Sequence, residues 1–468
     1  MITRLLFLLL IVLAPFLAVR AEITLPAVFG NNMVLQQQTM APLWGKARPK
    51  VKVTVTPSWN GTAYTVVSDA DGSWQLSVRT PAAGGPYTLV LDDGKKLILR
   101  NILIGEVWLC SGQSNMEMPV KGFRNQPVLH SDEILLDADN SQIRLFRLER
   151  GMSRTPASDA KATAWEEANP ASVKEFSAVG YQYARILQER LKVPVGIIMS
   201  TWGGTVIEAW MDRHSLAAFP AIKILQESDT TKMTKNEPAV LFNAMINPLV
   251  GYGIKGVIWY QGEQNRVNPQ VYDQLMVAMV DEWRQRWHCG TWPFYYVQIA
   301  PYAYNDKLGP AAPLREAQQK ALQQITNAGM VVSMDAGEEK SIHPAEKTVI
   351  AKRLACWALA NSYGRTGLPY ASPLYHAMKV EKDAVSISFD NAANGLTAWG
   401  KPLAAFEIAG EDKVFYPARA RITGNGVTLQ SDSVKAPVAV RYAYKDWVIG
   451  DLYNTEGLPA APFRTDNW

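Results

Sequence analysis

Cysteine is scarce in this chain: Cys110, Cys289 and Cys356 are the only three in 468 residues. That number excludes a disulfide framework, since at most one bridge forms and one thiol stays free. Cys110 lies inside an apolar run and reads as a small core residue. Histidine is nearly as sparse. His130, His214, His288, His343 and His376 are scattered, with no His-x-x-x-His or Cys-x-x-Cys spacing, so the pattern predicts no metal and no cofactor. Neither sign of charge dominates: 47 basic against 43 acidic residues give +4, with no long basic run. A nucleic-acid partner needs clustered positive charge and is excluded on that ground. Beyond the N-terminus no apolar run is long enough to cross a bilayer, so no stable membrane insertion is expected. What the chain does have is a 48% hydrophobic content, enough for large packed cores. Its 15 Trp and 18 Tyr suit both cores and stacking on sugar rings.

The first 21 residues read as a secretory signal. Arg4 supplies a positive start, Leu5 to Leu17 an apolar stretch too short to span comfortably, and Val19-Arg20-Ala21 a cleavage site. A periplasmic or secreted protein is the expectation. Residues 22–102 alternate in short β-like runs such as Val51-Lys52-Val53-Thr54-Val55, separated by Asp71-Gly72, Gly84-Gly85 and Asp93-Gly94, which predicts a small sandwich-like domain. Residues 103–378 switch to alternating strands and helices. Apolar strands are expected at 104–110, 193–200, 254–260, 294–299 and 330–334, and residues 119–172 read as an irregular polar insertion. This alternation predicts an α/β domain with a mostly parallel sheet covered on both faces. Residues 379–468 return to β character as a C-terminal domain.

Chemistry concentrates at the predicted strand ends, where open α/β sheets bind ligands. The first strand stops at Gly112-Gln113-Ser114-Asn115-Met116. The second is followed by Thr201-Trp202-Gly203-Gly204-Thr205, the third by Gln261-Gly262-Glu263-Gln264-Asn265, and the last by Ser341-Ile342-His343-Pro344. Together these offer a hydroxyl nucleophile, Ser114, and a base, His343, which a weak nucleophile requires. The amides of Ser114 and Gly204 and a side-chain amide offer donors for a tetrahedral oxyanion. Arg315, at the start of a predicted helix, is read either as a bidentate partner for a sugar carboxylate or as an ion-pair residue. Trp202, Trp210 and Trp259 are read either as a sugar-pocket lining or as core.

These four motifs in this order resemble the sialate O-acetylesterase family of SGNH hydrolases. The segment Asn31-Asn32-Met33-Val34-Leu35-Gln36 and the tail Leu452-Tyr453-Asn454-Thr455-Glu456-Gly457-Leu458-Pro459 extend the resemblance over nearly all of the chain beyond the signal. The resemblance implies an SGNH-type three-layer catalytic domain, flanked by small β domains, acting on an O-acetylated sugar through an acyl-enzyme. It assigns Ser114 as nucleophile, His343 as general base and Gly204 as oxyanion donor. The wider superfamily carries an asparagine in the third block. Gln261 takes that place in our reading because it ends the strand, while Gln264 is the alternative by alignment on Gly262. Gln113, Trp202, Glu263 and Arg315 are the expected substrate-binding residues, with a buried polar network behind the site as the other reading of Gln261 and Glu263. The family's acid usually stands three residues before the histidine, where this chain has Lys340, a cation that cannot accept the imidazole's proton. Glu339 is ranked first as its substitute, with Glu338, Asp335 and a backbone carbonyl near Ser341 left open. Two further readings remain: an esterase for another acetylated polysaccharide such as xylan, and a carbohydrate-binding protein on a dead esterase scaffold.

Overall fold

The structure, a computed structural model, describes residues 22–468, so the expected signal segment lies outside the described residues. The central sheet is organised about a 17-residue strand, β1 (Lys96–Gly112). Its companions are β2 (Asn140–Arg147), β3 (Val195–Thr201), β4 (Gly256–Tyr260), β5 (Phe294–Val297) and β6 (Ala328–Val331). They run in the order β6-β5-β4-β1-β3-β2, each pair parallel, with Glu166–Ala168 added antiparallel at the edge. Every residue of β3, β4 and β5 is buried, as a parallel sheet covered on both faces requires.

The pleat divides these strands between two cores. Trp108, Cys110, Ile258 and Tyr260 face α2 (Ala178–Leu191) and α5 (Thr348–Trp357). Val107, Leu109, Val257 and Trp259 face α3 (Tyr272–Trp287) and α4 (Ala312–Gln324). One short helix, α1 (Ser114–Glu117), follows β1 directly. Among the described residues no helix is long and apolar enough to cross a membrane. The three cysteines are free thiols, and burial pushes the Cys110 thiol up to about 12.

The expected irregular insertion at 119–172 requires correction, because β2 lies within it. Its start, Asn140-Ser141-Gln142, is polar, and Arg144 interrupts the apolar alternation. Arg144 is nevertheless buried, donating to the Ser141 carbonyl at 2.9 Å and pairing with Glu167 at 3.1 Å. A buried but paired cation looks like a surface residue in sequence.

The flanking β regions are joined closely to this sheet. The first half of β1 pairs antiparallel with Gly84–Asp92 and, at Leu103–Gly105, parallel with Val34–Gln36. Only from Glu106 onward does it pair with β3 and β4. One strand therefore serves both the N-terminal β region and the parallel sheet, and a division at residue 102 falls inside it. At the C-terminal side, two four-stranded sheets cover 374–430 and 406–464, and Phe463 of the second packs against Tyr375 and Phe389 of the first.

One close approach of a helix to the sheet is at Gly180, where an added methyl would stand 2.8 Å from Cys110 Sγ. Gly180→Ala is expected to destabilise the fold by about 1–3 kcal/mol through overpacking. In urea unfolding, Cys110→Ala in the same chain should recover part of that loss, giving a non-additive cycle. Additive effects would show that the contact does not limit the packing.

Candidate active site

The four motif segments converge at the carboxyl ends of β1, β3 and β4. Gly112 ends β1 with φ +135°, and a methyl there would lie 2.2 Å from the Tyr260 carbonyl oxygen. Only glycine permits so close a turn. Gln113 N–H donates to that same carbonyl at 2.9 Å, and Ser114 then begins α1. From the neighbouring segment, Trp202 N–H donates to the Gly112 carbonyl at 3.1 Å. Gly203 presses on Ser114: a methyl on it would come within 3.0 Å of Ser114 Cβ. Glu117, the last residue of α1, accepts from Gly203 N–H at 2.8 Å. Gly204 turns with φ +67°.

Asn115 ties the remaining segments together. Its carboxamide nitrogen donates to Glu263 Oε1 at 2.6 Å and to the Ile342 carbonyl at 3.0 Å, and its oxygen accepts from Lys347 Nζ at 2.7 Å. Asn115 and Lys347 are each 1% exposed and Glu263 3%. Burial pushes the Glu263 carboxyl up, opposed by its hydrogen bonds and by Lys347, and drives the Lys347 ammonium down to about 7.

His343, half-buried, follows Ile342 directly. Its Nδ1 lies 2.6 Å from Gln126 Oε1, and Phe123 packs against the ring at 5.2 Å between centroids, 69° between planes. An amide oxygen only accepts, so Nδ1 carries the proton and Nε2 is left with its lone pair. Burial, with the Lys347 charge second, lowers the imidazole to about 4. Phe123 and Gln126 belong to one tight turn, each donating its N–H to the other's carbonyl at 2.9 and 3.0 Å. No hydrogen bond joins the Ser114 hydroxyl to the His343 ring, whose Nδ1 is engaged with Gln126.

The family profile described as "Carbohydrate esterase, sialic acid-specific acetylesterase" matches residues 104–359. The chain belongs to this family. It is 30% identical to a human sialate O-acetylesterase over 92% of this chain and 90% of the relative. The mouse sialate O-acetylesterase is 27% identical over 92% of each. In three dimensions it is similar to a carbohydrate acetylesterase from Xanthomonas citri, with a TM-score of 0.87 and 37% identity, covering 95% of this chain and 100% of that one. Likeness over whole chains shows that the flanking β regions accompany the esterase sheet in that relative as well.

Several residues of this esterase stand elsewhere than the sequence suggests. Glu339 is exposed, and Gln126 occupies the position at His343 Nδ1 expected of it. Glu338 accepts from Ala345 N–H at 2.6 Å, Asp335 forms a bidentate pair with Arg353 at 2.7 and 2.6 Å, and Ser341 Oγ donates to the His343 carbonyl. Gln261 is fully buried, and its amide nitrogen already donates to the Thr205 carbonyl at 2.9 Å and Asn265 Oδ1 at 2.7 Å. Two hydrogens are thereby used, leaving none for an oxyanion. Gln113 and Glu263 are likewise sealed: Gln113 Oε1 accepts from Gly262 N–H at 3.2 Å. These residues form the polar network behind the site. Trp210 and Trp259 are core, T-packed at 6.0 Å. Trp202 remains half-buried at the site, with the Arg150 guanidinium 5.8 Å over its ring.

Arg315 is fully buried and does not reach a substrate. It donates to the carbonyls of Ile299, Ala300, Lys445 and Asp446 at 2.7–3.1 Å, tying α4 to the C-terminal β region. Sequence reasoning missed Gln126, Glu117, Arg150, Lys235 and Lys347. Of these only Lys347 carried a signal, its closeness in sequence to His343. Arg315→Ala orphans four carbonyls and should cost about 3–5 kcal/mol in urea unfolding while leaving the KM of the folded fraction unchanged. A raised KM at unaltered stability would return Arg315 to the substrate.

Proposed function

We propose that the protein is an exported, periplasmic or secreted serine esterase that removes O-acetyl groups from sialic acid, with an SGNH-type arrangement of its site. The observation that carries this reading is the convergence of all four motifs on Ser114, with Asn115 bonded to the segments of Glu263 and His343. The curated relatives named for the same activity support the substrate. The signal-like start of the sequence supports export.

In this reading Ser114 Oγ attacks the acetyl carbonyl carbon while His343 Nε2 takes its proton. The developing oxyanion is held by the Ser114 and Gly204 N–H groups. Gly203 N–H is unavailable, being committed to Glu117. Gln264 supplies the third donor by elimination, because Gln261 and Asn265 are both tied into the buried network. The intermediate collapses as His343 returns the proton to the sugar oxygen, leaving an acetyl-enzyme. Water, deprotonated by the same imidazole, then releases acetate. Gln126 holds the tautomer but provides no negative charge for the imidazolium. That suffices for an acetyl ester, whose alkoxide leaving group is less demanding than an amine.

Acetate release from O-acetylated sialic acid should be abolished by Ser114→Ala. Release from acetylated xylan alone would keep the mechanism and overturn the substrate. Release from neither by folded protein would point to a binding scaffold. The base works only when neutral, so log kcat/KM should climb with unit slope as pH rises to about 4 and be flat from there through neutrality. Gln126→Glu places a carboxylate on Nδ1–H, favours the imidazolium, and should move that acid limb upward by about 1 pH unit or more. An unmoved limb would mean that His343 is not the group that titrates.

A further inference from the structure

A cavity of about 410 Å³ opens where the short helix Ser131–Leu136 meets α2 and the start of α5. Ser114, Gly204 and His343 do not line it. Each helix turns residues three or four apart toward it: Gln182 and Arg185 from α2, Thr348 and Lys352 from α5, Glu133 and Asp137 from the short helix and its end. That spacing puts both side chains of a pair on one helix face.

Two buried polar atoms in this wall have no hydrogen-bond partner. Gln182 is 1% exposed, and its Nε2 donates to Thr348 Oγ1 at 2.9 Å, which leaves Oε1 unmet. One turn on, Arg185 Nε is buried and unmet as well. Glu189 Oε1 lies 3.9 Å from that nitrogen, and Asp137 Oδ2 lies 3.8 Å from Nη1, both beyond hydrogen-bond reach. Buried donors and acceptors are costly to leave unmet, and protein interiors satisfy nearly all of them. An unmet acceptor and an unmet donor one turn apart on the same helix suit a ligand that carries a donor and an acceptor side by side.

The charges around these two atoms are mixed. Glu133, Asp137 and Glu346 stand with Arg185, Lys352 and His130. Glu346 is partly spent, since its Oε1 accepts from Val349 N–H at 3.0 Å, and His130 Nδ1 stands 3.4 Å from Glu133 Oε1. A simple cation would meet Gln182 Oε1 and leave Arg185 Nε alone, and a simple anion would do the reverse. An α-amino acid carries both groups. Its ammonium donates to Gln182 Oε1 among the carboxylates, and its carboxylate accepts from Arg185 and Lys352. Ile134 and Val349 complete the lining and match an aliphatic side chain.

We propose that this cavity between three helices binds a free aliphatic α-amino acid, held by Gln182 and Arg185. It adjoins the two segments that carry the partners of the base. Leu129 N–H, just before His130, donates to the Ala345 carbonyl at 3.0 Å, and Glu346 and Thr348 flank Lys347. Binding there is independent of which ester the enzyme hydrolyses.

The test is ligand-observed NMR of the protein with L-leucine, with N-acetyl-L-leucine, which lacks the ammonium, and with L-leucinamide, which lacks the carboxylate. L-Leucine should bind about ten-fold tighter than either capped form. Gln182→Met, close in volume but without the acceptor, should narrow the preference over N-acetyl-L-leucine to about three-fold. Arg185→Gln should narrow the preference over L-leucinamide by a similar factor of about three. Both variants are checked for folding by their melting transitions. Absence of L-leucine binding, or binding of either capped form as tight as that of L-leucine, overturns the proposal without any variant. Preferences that persist unchanged in both folded variants overturn it as well.

Discussion

The side chain of Asn115 is the constraint on which the site depends. Three partners from three segments meet it: Glu263 beyond β4, the Ile342 carbonyl before His343, and Lys347 at the entry to α5. A carboxamide suits this place because it donates and accepts at once while carrying no charge. Aspartate would add a second buried anion beside Glu263, and leucine would orphan an ammonium, a carboxylate and a carbonyl. Being adjacent to Ser114, Asn115 converts the placement of the Ser114 turn into the placement of the His343 segment. Neither loop needs to be rigid by itself, because each is bonded to the same planar group.

The buried polar network also sets the electrical state of the base. Lys347 lies behind His343 with its charge divided between Asn115 and the Glu263 beyond it, and its field adds to desolvation in keeping the imidazole neutral. A carboxylate on Nδ1 would act in the opposite direction. The amide of Gln126 instead fixes ring orientation and tautomer while leaving the basicity low. The site thereby favours an imidazole that is unprotonated over a wide pH range. Glu263 Oε2, buried without a hydrogen-bond partner, is the cost of this arrangement.

What was legible in the sequence follows from chemistry local to the chain. Strand ends marked by glycine and serine placed Ser114, Gly203 and Gly204, because a sharp turn at a buried strand's end constrains residue type at that point, while His343 was legible from its own motif. What was illegible depended on where polar side chains point. Gln261 and Gln264 are the same residue type three positions apart, yet one has both amide hydrogens consumed internally. Arg315 looked like an anion ligand, and its burial against four carbonyls has no sequence signature. Gln126 lies more than 200 residues from His343 in a segment with no periodicity, so only the folded turn at Phe123–Gln126 reveals it. The strand β2 was hidden for a related reason, since its charged residue is neutralised by a partner on another element.

The architecture supports the site from below as well as around it. β1 is paired first within the N-terminal β region and then between β3 and β4, and it ends at the turn that delivers Ser114. Displacing that turn would require shifting a strand held in two sheets. Arg315 performs the corresponding task at the other flank, where its planar group bonds carbonyls of the segment after β5 and of the C-terminal β region together. A catalytic group held within a fraction of an ångström needs supports that do not move independently. The accessory β regions supply that support through a shared strand and a shared arginine, so the site rests on all three parts of the fold.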